Sequence, residues 1–134
     1  MKHPHEANRA FWNASAAWWQ AREDRRNQWR IAAREPQRIL TPWERKHLGT
    51  VQNREVCVLG SGDNVVALAL AGLGAIVTSV DIAEERLRLA RERADAAGVR
   101  LRLVRADVID LRPLQTATFD RFYTGGHVAV WVAD

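Results

Sequence analysis

Val56-Cys57-Val58-Leu59-Gly60-Ser61-Gly62-Asp63-Asn64 is the stretch that decides how this 134-residue chain is read. With Glu55 it starts as a short, nearly continuous apolar run, the pattern of a strand buried on both faces of a parallel sheet. Gly60 and Gly62 follow at once, and glycine lets a backbone turn sharply or lie close against a ligand. Asn64 to Ala71 then reads as a helix closed by Gly72 and Gly74. The glycine turn therefore stands at a helix N-terminus, where free N–H groups point outward. A lone Gly-x-Gly is weak evidence. The dinucleotide pattern GxGxxG is also unmet, because Val65 holds the third glycine's place.

Toward the C-terminus the same rhythm repeats. Ala75 to Val80 is a second strand, Ala83 to Ala97 a helix ending at Gly98, Leu101 to Arg105 a third strand, and Phe119 to Tyr123 a fourth. Along the second helix Leu87, Leu89, Ala90 and Ala94 are expected inward and the arginines outward. Strands alternating with helices imply an α/β fold with a parallel sheet and right-handed crossovers. Two carboxylates fall just past strand ends. Asp81 follows the second strand, where a carboxylate accepts both hydroxyls of a ribose, and it also suits a helix N-cap. Asp107 lies just past the third strand on the same sheet edge, placed to accept from an adenine amino group or to brace a turn.

Toward the N-terminus the texture changes. Residues 1–53 hold five of the six tryptophans and no strand-like run, so they form an N-terminal helical segment ahead of the sheet region at 54–134. Phe11-Trp12 and Trp18-Trp19 lie two helical turns apart and share one broad face, with Asn8 or Asn13 as candidate caps. A second helix is expected over Glu23 to Arg34, ending before Pro36. Thr41-Pro42-Trp43-Glu44 carries the capping-box spacing of a helix that ends at Gly49. Trp18, Trp19, Trp29 and Trp131 are expected to pack, while Trp12 or Trp43 are the candidates for stacking on a ligand.

Composition narrows the setting. No apolar run approaches the roughly 20 residues of a membrane-spanning helix, and Met1 to Ala10 is followed by no signal-peptide core. With one cysteine, Cys57, in an apolar run, a reduced cytoplasmic location is expected. The net charge of +4 comes mainly from arginines ahead of the glycine turn. They suit either a nucleic-acid surface or, with Glu23, Asp24, Glu35 and Glu44 interspersed, a solvated helical face. No metal site is suggested, because His3 and His5 are terminal, His47 is isolated and Cys57 is expected to be buried.

The order of these features resembles the class I S-adenosylmethionine-dependent methyltransferases. Val56 to Asn64, Val77 to Ile82, Arg105 to Val108 and Phe119 to His127 are the segments that carry the resemblance. The chain departs from the family's pattern at Val58, often acidic there, and at Asn64, often a third glycine. The resemblance implies a Rossmann-like sheet with S-adenosyl-L-methionine as cofactor. Gly60, Ser61, Gly62 and Asn64 would lie at its methionine moiety and Asp81 and Ile82 at ribose and adenine. Asp107 and Val108 would contact adenine, and Thr124 and Gly125 would line the pocket near the sulfonium. His127, at the exit of the fourth strand, is a candidate general base or a helix cap. The N-terminal helices would cover the cofactor and shape a pocket for a small-molecule acceptor.

The family sheet has seven strands in the order 3-2-1-4-5-7-6, of which these residues supply 3-2-1-4. The chain is accordingly expected to be part of a longer protein and, alone, inactive, self-associating through the open edge of its fourth strand. Two other functions share some of the features. A nicotinamide-dependent oxidoreductase would also use Gly60, Gly62 and Asp81, and a nucleic-acid-binding or scaffold module would use the arginines.

Overall fold

In a computed structural model, residues 4–62, 64–114 and 118–125 are described. Four parallel strands, β1 (Glu55–Leu59), β2 (Ile76–Asp81), β3 (Leu101–Arg105) and β4 (Arg121–Thr124), form one sheet in the order β3-β2-β1-β4. This is the parallel α/β sheet expected from the strand–helix alternation, in the Rossmann-like strand order that the resemblance implies. The first and third strands keep their expected limits, and the fourth starts two residues later than read, at Arg121.

Alternation along β1 explains why its whole run is apolar. Val56 and Val58 face a core built with α4 (Val65–Gly72), whereas Cys57 faces a smaller cluster with Val80, Ala106, Leu111 and Phe119. Burial on both faces leaves no side of the strand for a polar residue. It also pushes the Cys57 thiol up to about 11, because a buried thiolate is poorly solvated.

Ahead of the sheet lie α1 (Pro4–Arg26), α2 (Gln28–Ala32), a 3-10 turn over Pro36–Arg38 and α3 (Pro42–Leu48). α1 starts at Pro4, earlier than either Asn8 or Asn13. Proline suits a first helical turn because that turn needs no N–H donor, and both asparagines lie inside the helix. The expected helix over Glu23 to Arg34 is divided. Asn27 adopts a left-handed backbone, φ 57°, which asparagine tolerates better than most residues. That break turns Trp29 into the core, where its indole N–H donates to Asp24 at 2.8 Å.

Around α3 the capping box forms as read, with Thr41 N–H donating to Glu44 and Glu44 N–H returning to the Thr41 hydroxyl. Gly72, at the end of α4, does more than stop a helix. A Cβ there would stand 2.0 Å from the Ala33 carbonyl oxygen, so only glycine lets the end of α2 approach this closely.

α5 (Glu84–Ala97) corrects another expectation. Its arginines are not all outward: Arg86 and Arg93 are 4% and 3% exposed. Both meet Glu23 of α1, at 2.8 Å from Arg86 Nη2 and 3.0 Å from Arg93 Nη1. Residues 86, 90, 93 and 94 recur at helical spacing on one face, and that face receives α1. The arginines are buried because a carboxylate comes with the helix that covers them.

Candidate cofactor and acceptor site

The glycine turn, Asp81 and the Asp107 loop meet at the C-terminal rim of the sheet. Pairing fixes this, since Leu59 is in register with both Val80 and Thr124, and Asp81 with Arg105. Gly60 and Gly62 hold left-handed angles, φ 60° and 55°. The turn is pinned from below: Ser61 N–H donates to the Val80 carbonyl at 3.1 Å, and Gly62 N–H donates to Asp81 Oδ2 at 3.2 Å. Asn64, also left-handed at φ 63°, is buried. Its side-chain amide donates to the Gly62 carbonyl at 3.1 Å while its oxygen accepts from the Ser79 hydroxyl. In this chain Asn64 thus fixes the turn through its side chain.

Asp81 is 8% exposed. Burial raises its pKa, and the backbone N–H groups of Ala83 and Gly62 pull the other way by stabilising the carboxylate. One oxygen accepts from each of those donors, so lone pairs remain for further hydrogen bonds. The N-cap of α5 is Ala83, so Asp81 braces the turn ahead of the helix through Ala83 N–H rather than capping the helix itself.

Asp107 stands on the same rim, but its carboxylate is already engaged. Oδ1 accepts from Ile109 N–H at 3.1 Å, and Oδ2 is hydrogen-bonded to His5 Nδ1 of α1. Nearby, Arg9 and Asn13 of α1 both donate to Glu84, and Asn13 also accepts from Glu85 N–H. The first half of α1 is thereby strapped over the start of α5.

A cavity of about 490 Å³ opens beside the turn, within the size range of small-molecule sites. Gly60, Ser61, Gly62 and Gly125 line it, and Asp81 lies next to it through Gly62. Asn64, Asp81, Ile82, Asp107, Val108 and Thr124 are not on its wall; they lie at or near strand ends on the same rim of the sheet. His127, Trp131 and Asp63 lie outside the described residues.

The far wall comes from residues that the strand–turn–helix pattern did not single out: Trp19, Glu23, Ile39, Glu44, Arg86 and Tyr123. The Tyr123 hydroxyl donates to Glu44 at 2.7 Å. Burial opposes the Glu44 charge, yet donation from Tyr123 and Thr41 holds its carboxyl below the usual carboxylate range. Trp12 and Trp19 face the cavity, their rings 5.9 Å apart, while Phe11 and Trp18 are exposed. Adjacent helical residues point about 100° apart, so each aromatic pair splits between cavity and solvent rather than sharing a face. Trp18 is exposed and meets Trp19 edge-on at 4.9 Å, and Trp43 is exposed and stacked on His47 at 4.0 Å. A helical-wheel reading of α1 would have separated Trp12, Trp19 and Glu23 from Phe11 and Trp18.

A parallel sheet with a glycine turn after β1 and a buried acid at the end of β2 defines a nucleoside-binding α/β protein. The comparisons with known proteins narrow this. Residues 56–134 match a family model described as a methyltransferase domain. Over 106 residues, 79% of this chain, it is 29% identical to the ubiquinone biosynthesis O-methyltransferase of Bordetella avium (strain 197N), of which that match covers 42%. A second such enzyme, from Haemophilus ducreyi, is 31% identical over 86 residues, covering 61% of this chain and 36% of the relative. The magnesium protoporphyrin IX methyltransferase of Synechocystis PCC 6803 with bound SAH has the same fold. It shows a TM-score of 0.66 at 18% identity, over 91% of this chain and 58% of that one.

The chain belongs to the class I S-adenosylmethionine-dependent methyltransferases, and it spans about two fifths of the length of the curated relatives it matches. S-adenosylmethionine is the cofactor that goes with this membership, which sets the nicotinamide alternative aside. Among the described residues no helix is long and apolar enough to cross a membrane. Of the arginines ahead of the glycine turn, Arg9 and Arg38 are in ion pairs, and past it Arg86, Arg88, Arg93, Arg102, Arg105 and Arg112 are.

Proposed function

We propose that this chain forms the cofactor-holding part of a methyltransferase acting on a small-molecule hydroxyl, in a cytoplasmic setting. The observation that carries the reading is the bond from Gly62 N–H to the buried Asp81 carboxylate, which joins turn and acid at one rim. The residues present fit S-adenosylmethionine: an open glycine turn, a buried carboxylate with unused lone pairs, and an adjoining cavity of about 490 Å³.

In this reading Gly60, Ser61 and Gly62 take the methionine moiety, and Asn64 holds their turn in shape. Asp81 accepts the ribose hydroxyls, with Ile82, Asp107 and Val108 on the adenine side and Thr124 and Gly125 toward the sulfonium. The cofactor supplies an electrophilic methyl group, which an acceptor oxygen displaces in line. The chain's own contribution is orientation and exclusion of water. Residues 1–53 act as a cover, with Trp12 and Trp19 walling the acceptor side. A hydroxyl acceptor is supported by the names of the two O-methyltransferase relatives. Self-association through β4 belongs to the same reading, since among the described residues β4 pairs only with β1 and Phe122 is exposed. Light scattering tests it, and a clean monomer at high concentration counts against it.

Calorimetric titration with S-adenosylhomocysteine tests the cofactor site. Wild type should bind it in preference to NAD, and Asp81→Ala should weaken binding at least 100-fold with an unchanged circular dichroism spectrum. Equal affinity in a folded Asp81→Ala protein would remove Asp81 from the site.

A further inference from the structure

We propose that His5, in the first turn of α1, is a positioning residue for the cofactor's adenine, holding the Asp107 carboxylate in the orientation that receives the adenine amino group. His5 is 5% exposed, and its Nδ1 is hydrogen-bonded to Asp107 Oδ2 across 102 residues of sequence. A carboxylate only accepts, so Nδ1 carries the hydrogen. Oδ1 accepts from Ile109 N–H at 3.1 Å, which fixes the carboxylate at both of its oxygens. A carboxylate has about four lone-pair directions. Two are taken here, and the Asp107 side chain keeps 22% of its surface exposed.

The rest of the helix face points the same way. His5, Arg9 and Asn13 recur every four residues, which puts them on one stripe of α1. Arg9 and Asn13 donate to Glu84, and Glu85 N–H donates to Asn13. Arg105, two residues before Asp107, donates to the same Glu84 at 2.8 Å. One stripe thereby grips both the first turn of α5, just past Asp81, and the loop that carries Asp107. Fastening α1 to α5 needs only the Glu84 and Glu85 contacts. His5 adds a buried bond to the carboxylate at the sheet rim, and a group reads its ligand best when neighbouring hydrogen bonds lock its own rotamer.

This role rests on the reading of Asp107 as an adenine contact, so the test compares two ligands that differ only at the edge of the base. S-adenosylhomocysteine presents an amino group there, and S-inosylhomocysteine presents an oxygen that a carboxylate repels. In titrations of the full chain, wild type should prefer S-adenosylhomocysteine by about tenfold or more, the worth of a hydrogen bond to a charged group. His5→Phe keeps a buried ring without a donor. It should weaken S-adenosylhomocysteine by about fivefold and leave S-inosylhomocysteine unchanged, because only the bond to the amino group depends on how Asp107 is held. His5→Asn returns a short side-chain N–H near the place of Nδ1 and should recover most of the preference.

Circular dichroism checks the fold, and His5→Ala is read in the same way if His5→Phe does not fold. A residue that only fastens α1 would weaken both ligands alike, so equal losses overturn the role, as does a preference that stays unchanged in the folded variant. Either result leaves cofactor binding itself standing. A wild-type chain that binds both ligands equally removes the amino-group contact and the role of His5 with it. A wild-type chain that binds neither fails the methyltransferase cofactor reading, and the role falls with that reading.

Discussion

Asp81 at the sheet rim and Glu23 under the helical layer are both largely buried carboxylates, but they are held in different ways. Asp81 is held by backbone N–H groups from Gly62 and Ala83. Glu23 is held by the side chains Arg86 and Arg93, from a helix more than sixty residues away in sequence. The first arrangement depends on where strands end and where glycines fall. The second depends on which face of α1 meets which face of α5. A site built from backbone is robust to side-chain change and leaves a sequence signature; a site built from side chains has neither property.

The contrast makes the Glu23 cluster the more fragile of the two. Glu23→Ala should strand two buried guanidiniums and destabilise the chain by about 3–5 kcal/mol, measured by urea unfolding. A loss below about 1 kcal/mol would mean that water already solvates the arginines. Gly72→Ala probes the seam between the two regions at another point. It forces Cβ into the Ala33 carbonyl, and overpacking of this kind costs about 1–3 kcal/mol. Thermal unfolding should show the drop, and a neutral result would mean that the end of α2 moves away freely.

The weakest seam is electrostatic. Hydrogen bonds from Arg9 and then Asn13 hold the Glu84 carboxyl well below the usual carboxylate range. A depressed carboxylate stabilises the fold fully above its unfolded pKa, about 4.3, and that contribution is lost as pH falls through the folded value. Stability should therefore decline below about pH 4. Because both partners are some two-fifths exposed, solvent screens the pair and the decline should be small. Tryptophan fluorescence against pH should follow the loosening of α1. Glu84→Gln should flatten that acid limb, and an unchanged limb would assign it to other carboxylates.

Legibility followed the same division. β1, β3, the Thr41 capping box and the Gly60–Gly62 turn were readable because each depends on local spacing: period-two burial, a cap three residues from its acid, glycine between strand and helix. The start of α1 was hidden because Asn8 and Asn13 look like caps, whereas Asn13 serves Glu84 and Glu85 in three dimensions. Arg86 and Arg93 were read as solvent-facing because charge at a helical position normally means exposure. Only the docking of α1 reverses that, and no spacing within α5 announces a carboxylate from another helix. Asp107 was placed on the correct rim by its strand, yet its engagement by His5 came from the same unannounced helix.

Everything proposed for this chain depends on the glycine turn and the two aspartates acting together on one adenosine. Backbone amide NMR of the labelled chain titrated with S-adenosylhomocysteine tests this most directly. Shifts should concentrate at Gly60, Ser61, Gly62, Asp81, Ile82, Asp107 and Val108, with the outer surface of α5 silent. Shifts scattered over other surfaces, or confined to the turn while the aspartate loops stay still, would contradict a shared adenosine site.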